Sequence, residues 1–147
     1  MSTYKNVLIA IDLSNESAKV IAKARELVGG DSSKLSLVHV VEPVAAAYPI
    51  DAYAINISRM QEEALEIANE RMQDIGKQFD IPAERQHTLM GSAATEIRVL
   101  AEERVADLIV IGHEQKASFA KRWWGGSVGK SIIDQAPCNV FIALRRR

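Results

Sequence analysis

Residues 106–144 read ADLIVIGHEQKASFAKRWWGGSVGKSIIDQAPCNVFIAL, and this stretch decides the fold. An apolar run from Leu108 to Ile111 ends at Gly112 and is followed by a polar, basic loop. Residues 125–127, Gly-Gly-Ser, then lead into a short helical pattern, and a second apolar run covers Val140 to Leu144. This succession of apolar run, loop, helix and apolar run predicts a β-loop-α-β unit.

The same unit predicts where a ligand site lies. Ligands of open parallel sheets bind beyond the carboxyl ends of the strands, which places the predicted site at Gly112 to Val128. The segment GGSVGKS superficially resembles a P-loop. A P-loop requires a glycine, four residues and then Gly-Lys-Ser or Gly-Lys-Thr. Counting back from Gly129 places Trp124 at the first glycine position, which argues against a P-loop.

Length and composition indicate a single folded domain in a reducing compartment. The 147 residues suit one domain, and 48% of them are hydrophobic, enough for a real core. The net charge of −1 provides no basic field for nucleic acid. No run approaches the ~20 apolar residues of a membrane span. Cys138 is the single cysteine, which favours a cytoplasmic protein, and the opening MSTYKNVLIAID predicts a first strand rather than a signal peptide.

Five segments of the chain predict strands. Short, almost continuous apolar runs are typical of strands that are buried on both faces of a parallel sheet. The third segment is more polar, which suits a sheet edge. The predicted strands are Asn6–Ile11, Leu35–Val41, Arg85–Met90, Asp107–Ile111 and Asn139–Leu144.

Four helical patterns alternate with these strands. The first is predicted to begin at an N-cap, Ser14, and to end at Gly29-Gly30. A loop is predicted over Glu42 to Ala54, and Ser92 is a predicted N-cap for the third helix. The apolar positions are Ala18, Ile21, Ala22 and Val28 in the first helix, Leu65, Ala68, Met72, Ile75 and Phe79 in the second, and Ile97, Leu100 and Ala101 in the third. The fourth helix covers about Ser127 to Gln135.

This alternation predicts an α/β fold, a single-domain, doubly wound, five-stranded parallel sheet with helices on both faces. Right-handed crossovers favour the strand order 3-2-1-4-5. Strands 1 and 4 then flank the switch point, and Asp12 and Gly112 lie at their carboxyl ends. Asp12 has two interpretations: a functional carboxylate, or a residue that only fixes the turn before Ser14.

Histidines and tryptophans supply further candidates. His113 and Glu114 follow Gly112 and either act in acid–base chemistry or simply belong to a polar loop. His39 is predicted to be a satisfied core histidine, and His87 to face solvent from the edge strand. The pair Trp123-Trp124 either stacks on a base or covers the loop or a dimer contact. No cluster of residues has metal-ligand spacing.

Four segments together carry a family resemblance. KNVLIAIDLSNES, LVHVVEP, ADLIVIGHEQ and GGSVGKSIIDQAPCNVFIAL, taken in order along the whole chain, resemble the universal stress protein family. The resemblance implies a Rossmann-like fold related to the adenine nucleotide alpha hydrolases. It also implies a homodimer formed through the last strand, Asn139 to Leu144. That strand is apolar on both faces at a sheet edge, where pairing or cover prevents aggregation.

The family has a nucleotide-binding branch and a branch that lacks the binding motif. The motif of the binding branch is G-x2-G-x9-G-[S/T]. Gly112 matches the first glycine, but Gln115 stands where the second is expected. Gly126-Ser127 matches the final pair with ten intervening residues in place of nine. The sequence therefore combines features of both branches.

The resemblance also implies the position of a nucleotide, ATP or AMP. The implied binding residues are Ala10, Asp12 and Val40 on the adenine and ribose side, and Gly112, Gly126, Ser127 and Val128 around the ribose and phosphates. The function expected first is a stress-response protein that binds a ligand or partner without classical catalysis. The alternative is a nucleotide-dependent switch or slow ATPase. A phosphoacceptor receiver domain is disfavoured because Leu89, Met90 and Gly91 stand where its aspartate is required.

Overall fold

The computed structural model describes residues 3–43, 51–114 and 127–145. The strands are β1 (Val7–Ala10), β2 (Leu35–Val41), β3 (Gln86–Met90), β4 (Leu108–Glu114) and β5 (Asn139–Arg145). The helices are α1 (Ser17–Leu27), α2 (Asp51–Gln78), α3 (Ala93–Glu103) and α4 (Ser127–Gln135), with short 3-10 turns at Ser32–Lys34 and Ala83–Arg85. Among the described residues, no helix combines the length and apolar character needed to cross a bilayer.

The five strands form one sheet with the predicted order, β3-β2-β1-β4-β5. All four neighbouring pairs are parallel. The central strand β1 is fully buried because β2 and β4 flank it and helices cover both of its faces. The predicted fold class and topology are confirmed.

Alternate side chains of β1 enter two separate cores. Val7 and Ile9 point to the face that α1 and α2 cover, where Met72 of α2 is fully buried. Leu8 and Ala10 point to the opposite face, where Ile97 of α3 is fully buried. Burial of each large aliphatic side chain stabilises the fold by roughly 1.5–3 kcal/mol. The two cores hold the carboxyl end of β1 in a fixed position.

Strand β4 is longer than predicted. It continues past Ile111 to Glu114, because Gly112 pairs with Ala143 and the two residues after it pair with the end of β5. His113 and Glu114 are therefore strand residues, and the interpretation that they belong to a polar loop, one of the two considered, is wrong. Backbone pairing with β5 supplies the ladder here, so the polar side chains do not end the strand.

The starts of two helices also differ from the prediction. Helix α1 begins at Ser17, not directly after Ser14, and its N-cap is Glu16. Ala22 is exposed, and Val20 is buried in its place. Helix α2 begins at Asp51, so the predicted loop to Ala54 is too long. At α1, side-chain hydrogen bonds of the preceding turn hold the backbone out of the helix.

Helix α2 is longer than the sheet it covers. Its 28 residues extend about 42 Å, against about 23 Å for a seven-residue strand. Its buried side chains, Ala68 and Met72, lie in the carboxyl-terminal half. In the amino-terminal half, the side chains from Ser58 to Met60 and from Glu62 to Ala64 are exposed.

Candidate functional site

The turn after β1 is organised by one carboxylate oxygen. Oδ1 of Asp12 accepts hydrogen bonds from the Ser14 backbone N–H at 3.0 Å, the Ser14 hydroxyl at 2.6 Å and the Ser17 hydroxyl at 3.2 Å. Leu13, between these residues, has φ of 64° and is mostly buried. The carboxylate compensates the cost of that left-handed backbone by fixing both sides of the turn. Asp12 thus has the structural role that was one of its two interpretations.

Ser17 is the residue of this turn that sequence reasoning missed. It is 1% exposed and its hydroxyl donates to Asp12. The spacing D-x-S-x-x-S, in which a carboxylate precedes two serines at a helix start, is the signal that could have revealed it. Burial makes this hydroxyl dependent on Asp12, since an unpartnered buried polar group is costly.

His39 ties the end of β1 to β2. Its Nδ1 lies 2.7 Å from the carbonyl oxygen of Ile11, and the side chain is half-buried. Burial lowers the pKa of His39, while the contact with Ile11 and the charge of Asp12 act in the opposite direction. The prediction of a satisfied histidine within β2 is confirmed. This contact places an imidazole beside the carboxyl ends of the two strands.

Three neighbouring strands bring predicted site residues to one edge of the sheet. Ala10 is the last residue of β1 and pairs with Val38 on one side and Ile111 on the other. Gly112 therefore lies one residue, about 3.3 Å, beyond that row, and Val40 lies two residues beyond it. Asp12 follows β1 directly at the same edge. The sheet thus gathers these four residues, as expected for a topological switch point.

Most of this group can offer only backbone atoms to a ligand. Ala10 is 1% exposed and Val40 is fully buried, and their side chains pack in the core under α3. Gly112 is buried within β4. Asp12 is half-buried, and it alone of the four brings a charged side chain to the edge.

The phosphate half of the predicted site is described only in part. Ser127 and Val128 are the first two residues of α4, which places backbone N–H groups at a helix amino terminus. Gly126, Gln115 and the pair Trp123-Trp124 lie outside the described residues.

A cleft of about 720 Å³ opens beside the turn, between α1 and the carboxyl-terminal half of α2. Ser14 and Ala18 line one wall, and Arg71, Asp74 and Gln78 of α2 line the other. A cation and an anion therefore face the same space. Asp12 and Gly112 are not among the residues that line this cleft, although Leu13 and Ser14, which directly follow Asp12, do line it.

His87 on β3 was predicted to face solvent, and this is wrong. The residue is half-buried, and its Nε2 is buried without a hydrogen-bond partner among the described residues. Burial lowers the pKa of His87, and the positive charge of Arg104 acts in the same direction. The side chain occupies the face of the edge strand that α3 covers. Within the described ranges, no group of three or more potential ligands is arranged to hold a metal ion.

The outer edge of β5 exposes apolar side chains. Ile142 is 39% and Leu144 55% exposed, while Phe141 and Ala143 pack against the core beside α1. Among the described residues, β5 pairs with β4 on one side only and ends the sheet. Unpaired backbone groups and apolar side chains thus occupy the same edge.

Comparison with known proteins identifies relatives along nearly the whole chain. The family model described as "Universal stress protein family" matches residues 3–143. Universal stress protein A homolog 1 of Coxiella burnetii is 35% identical over 139 residues, covering 94% of each chain. Universal stress protein G of Escherichia coli O157:H7 is 31% identical over 142 residues, covering 95% of this chain and 98% of that protein.

Solved structures agree with the fold. Universal stress protein UspA from Lactobacillus plantarum superposes with a TM-score of 0.68 at 22% identity, covering 97% of this chain and 99% of that one. A universal stress protein crystallised in complex with cAMP superposes with a TM-score of 0.56 at 22% identity, covering 97% and 98%.

Proposed function

The chain belongs to the universal stress protein family, and we propose that it is a cytoplasmic, homodimeric stress-response protein. In this proposal it acts by binding a ligand or a partner and does not catalyse a reaction in the classical sense. The ligand is an adenine nucleotide, ATP or AMP. The observation that carries the proposal is the meeting of Asp12 and Gly112 at the carboxyl ends of β1 and β4. Such switch points are where open α/β sheets bind ligands.

The burial of the site residues limits how a nucleotide binds. Ala10 and Val40 contribute backbone groups to the adenine, because their side chains are enclosed in the core. The Asp12 carboxylate accepts hydrogen bonds from the ribose hydroxyls, in addition to holding its own turn. Gly112 allows the close approach of the ribose, since a side chain is absent there.

The phosphates lie at the start of α4 in this proposal. Backbone N–H groups at Ser127 and Val128 and the helix dipole favour a negative charge. Gly126 precedes them and permits a tight turn. The same features serve ATP, AMP or cAMP. A structural relative in complex with cAMP supports this class of ligand.

The homodimer forms through β5. The exposed Ile142 and Leu144 and the unpaired backbone of this edge strand support a two-fold pairing with a second copy. Such pairing satisfies the backbone groups and covers the apolar side chains at once.

Calorimetric titration of nucleotide-stripped protein with ATP and Mg²⁺ tests the ligand, alongside a phosphate-release assay that tests the slow-ATPase alternative. Ser127→Glu introduces a negative charge at the proposed phosphate site and is expected to abolish binding. Gln135→Glu adds the same charge at the exposed carboxyl-terminal end of the same helix, about 12 Å along its axis, and is the matched control, with affinity kept. Equal affinity in both variants removes the start of α4 from the site. If the nucleotide-stripped protein releases phosphate from ATP at a steady rate, the slow-ATPase alternative is favoured.

A further inference from the structure

Helix α2 carries an apolar stripe that packs on the sheet and, on another face, a second stripe whose amino-terminal half is also apolar. The first stripe packs on the sheet through Ala68 and Met72 and their neighbours. A second stripe follows another face of the helix in alternating steps of three and four residues, the spacing that keeps side chains on one face. Its members are Ile57, Met60, Ala64, Ile67, Arg71, Asp74 and Gln78.

The second stripe changes character along the helix. Its carboxyl-terminal members, Arg71, Asp74 and Gln78, are polar and line the cleft beside α1. Its amino-terminal members are apolar, and Met60 is 57% and Ile67 54% exposed. Single exposed apolar residues are ordinary, but apolar residues at this heptad spacing are typical of a helix that packs against a partner helix.

Acidic side chains border the apolar half of the second stripe. Exposed glutamates stand at positions 62, 63, 66 and 70, and Arg59 is the one basic residue between Ile57 and Glu70. None of the ion pairs in the described part of the chain involves these four glutamates, since those pairs lie on or beside α1 and α3. This surface repels a second copy of itself and attracts a cationic partner.

We infer that the apolar half of the second stripe is a docking surface for a cationic amphipathic helix of another protein. The partner places its apolar face against Met60 and Ile67 across the small side chain of Ala64. Its lysine or arginine side chains reach Glu63 and Glu70. In this arrangement two helices pack face to face, with anchors three and four residues apart. None of this surface's members is among the residues proposed to bind a nucleotide, and none belongs to β5.

A labelled synthetic peptide tests the inference. The probe has about eighteen residues, five turns of helix, with leucines at helical spacing and lysines on both flanks. A second probe has glutamate in place of each lysine. Fluorescence anisotropy is expected to show binding of the cationic probe only, weakening as salt rises. Equal binding of both probes, or of neither, overturns the inference.

Variants locate the surface. Met60→Ser combined with Ile67→Ser is expected to weaken the cationic probe by about tenfold or more, as for buried anchors of an interface. Ile133→Ser removes an apolar residue that is 50% exposed on α4 and serves as the matched control, with affinity unchanged. Glu63→Gln with Glu70→Gln is expected to weaken binding by about threefold and to reduce its salt dependence. Glu84→Gln with Glu103→Gln, at exposed sites elsewhere, controls for general charge.

Two further results would overturn the inference. If the double variant at Met60 and Ile67 binds the cationic probe as tightly as Ile133→Ser does, the proposed docking surface is refuted. Sedimentation compares the oligomeric state of the wild type with that of the double variant. If the wild type forms an oligomer that the double variant does not, a second copy of this chain occupies the second stripe, and the inference is overturned. All substituted side chains are exposed, and circular dichroism verifies that each variant remains folded.

Discussion

Removal of the Asp12 carboxylate should destabilise the protein, because one oxygen of this group accepts three hydrogen bonds. The two bonds with Ser14 are exposed and contribute little each, about 0.5–1 kcal/mol. The bond with Ser17 is different, because Ser17 is 1% exposed and loss of its acceptor leaves a buried hydroxyl unsatisfied at a cost of about 1–3 kcal/mol. Asp12→Ala is therefore expected to lower the free energy of unfolding by about 2–5 kcal/mol.

Two further variants separate the contributions at this turn. Asp12→Asn retains an oxygen acceptor and should cost about 1 kcal/mol, the difference between a charged and a neutral acceptor. Ser17→Ala removes the buried donor together with its need for a partner and should cost no more than about 1 kcal/mol. Urea unfolding followed by circular dichroism, at one fixed protein concentration because a dimer couples stability to concentration, measures all three. A loss below about 0.5 kcal/mol for Asp12→Ala refutes the assignment of the turn to this carboxylate.

Three other properties follow from the structure. Val105 is a β-branched residue at φ of 54° and is 79% exposed. Val105→Gly should relieve this backbone strain and raise the free energy of unfolding by about 1 kcal/mol. An unchanged or lower free energy of unfolding contradicts the assignment of strain to Val105. Burial lowers the pKa values of His39 and His87, so their contribution to stability is complete above about pH 6.5 and is lost as the pH falls below it. Urea titrations at several pH values measure that loss, and His87→Gln should reduce it. Ile142→Lys with Leu144→Lys should convert the proposed dimer to a monomer in light scattering, whereas a dimer that survives both changes excludes β5 as the interface.

The strand order was predictable because the strands can be recognised from their own residues. Short apolar runs such as Leu35–Val41 must be buried on both faces, and the right-handed crossover rule then leaves few arrangements. The end of β4 was not predictable in this way. Gly112 and the two residues after it stay in the sheet because β5 provides backbone partners, and backbone pairing leaves no periodic pattern in the side chains.

The candidate site was predicted only in part, because some of its features depend on contacts between distant segments of the chain. Asp12 and Gly112 were predictable from their positions after apolar runs, and Ala10 and Val40 followed from the family resemblance. Because Ala10 and Val40 are buried, only their backbone atoms are open to a ligand, and a sequence motif cannot distinguish backbone contacts from side-chain contacts. Ser17 was not predicted, because the D-x-S-x-x-S spacing does not by itself show the left-handed turn at Leu13 that brings the Ser17 hydroxyl to Asp12.

Nuclear magnetic resonance tests the proposed nucleotide site most directly. Backbone amide shifts of the nitrogen-15-labelled protein are recorded as AMP, and separately ATP with Mg²⁺, is added to millimolar concentration. The account predicts saturable shifts that concentrate at Asp12, at Val40 and Val41, at Gly112 and at Ser127, with resonances of α2 unchanged. Shifts confined to α2, or none at millimolar nucleotide, contradict the proposal that the switch point between β1 and β4 binds an adenine nucleotide.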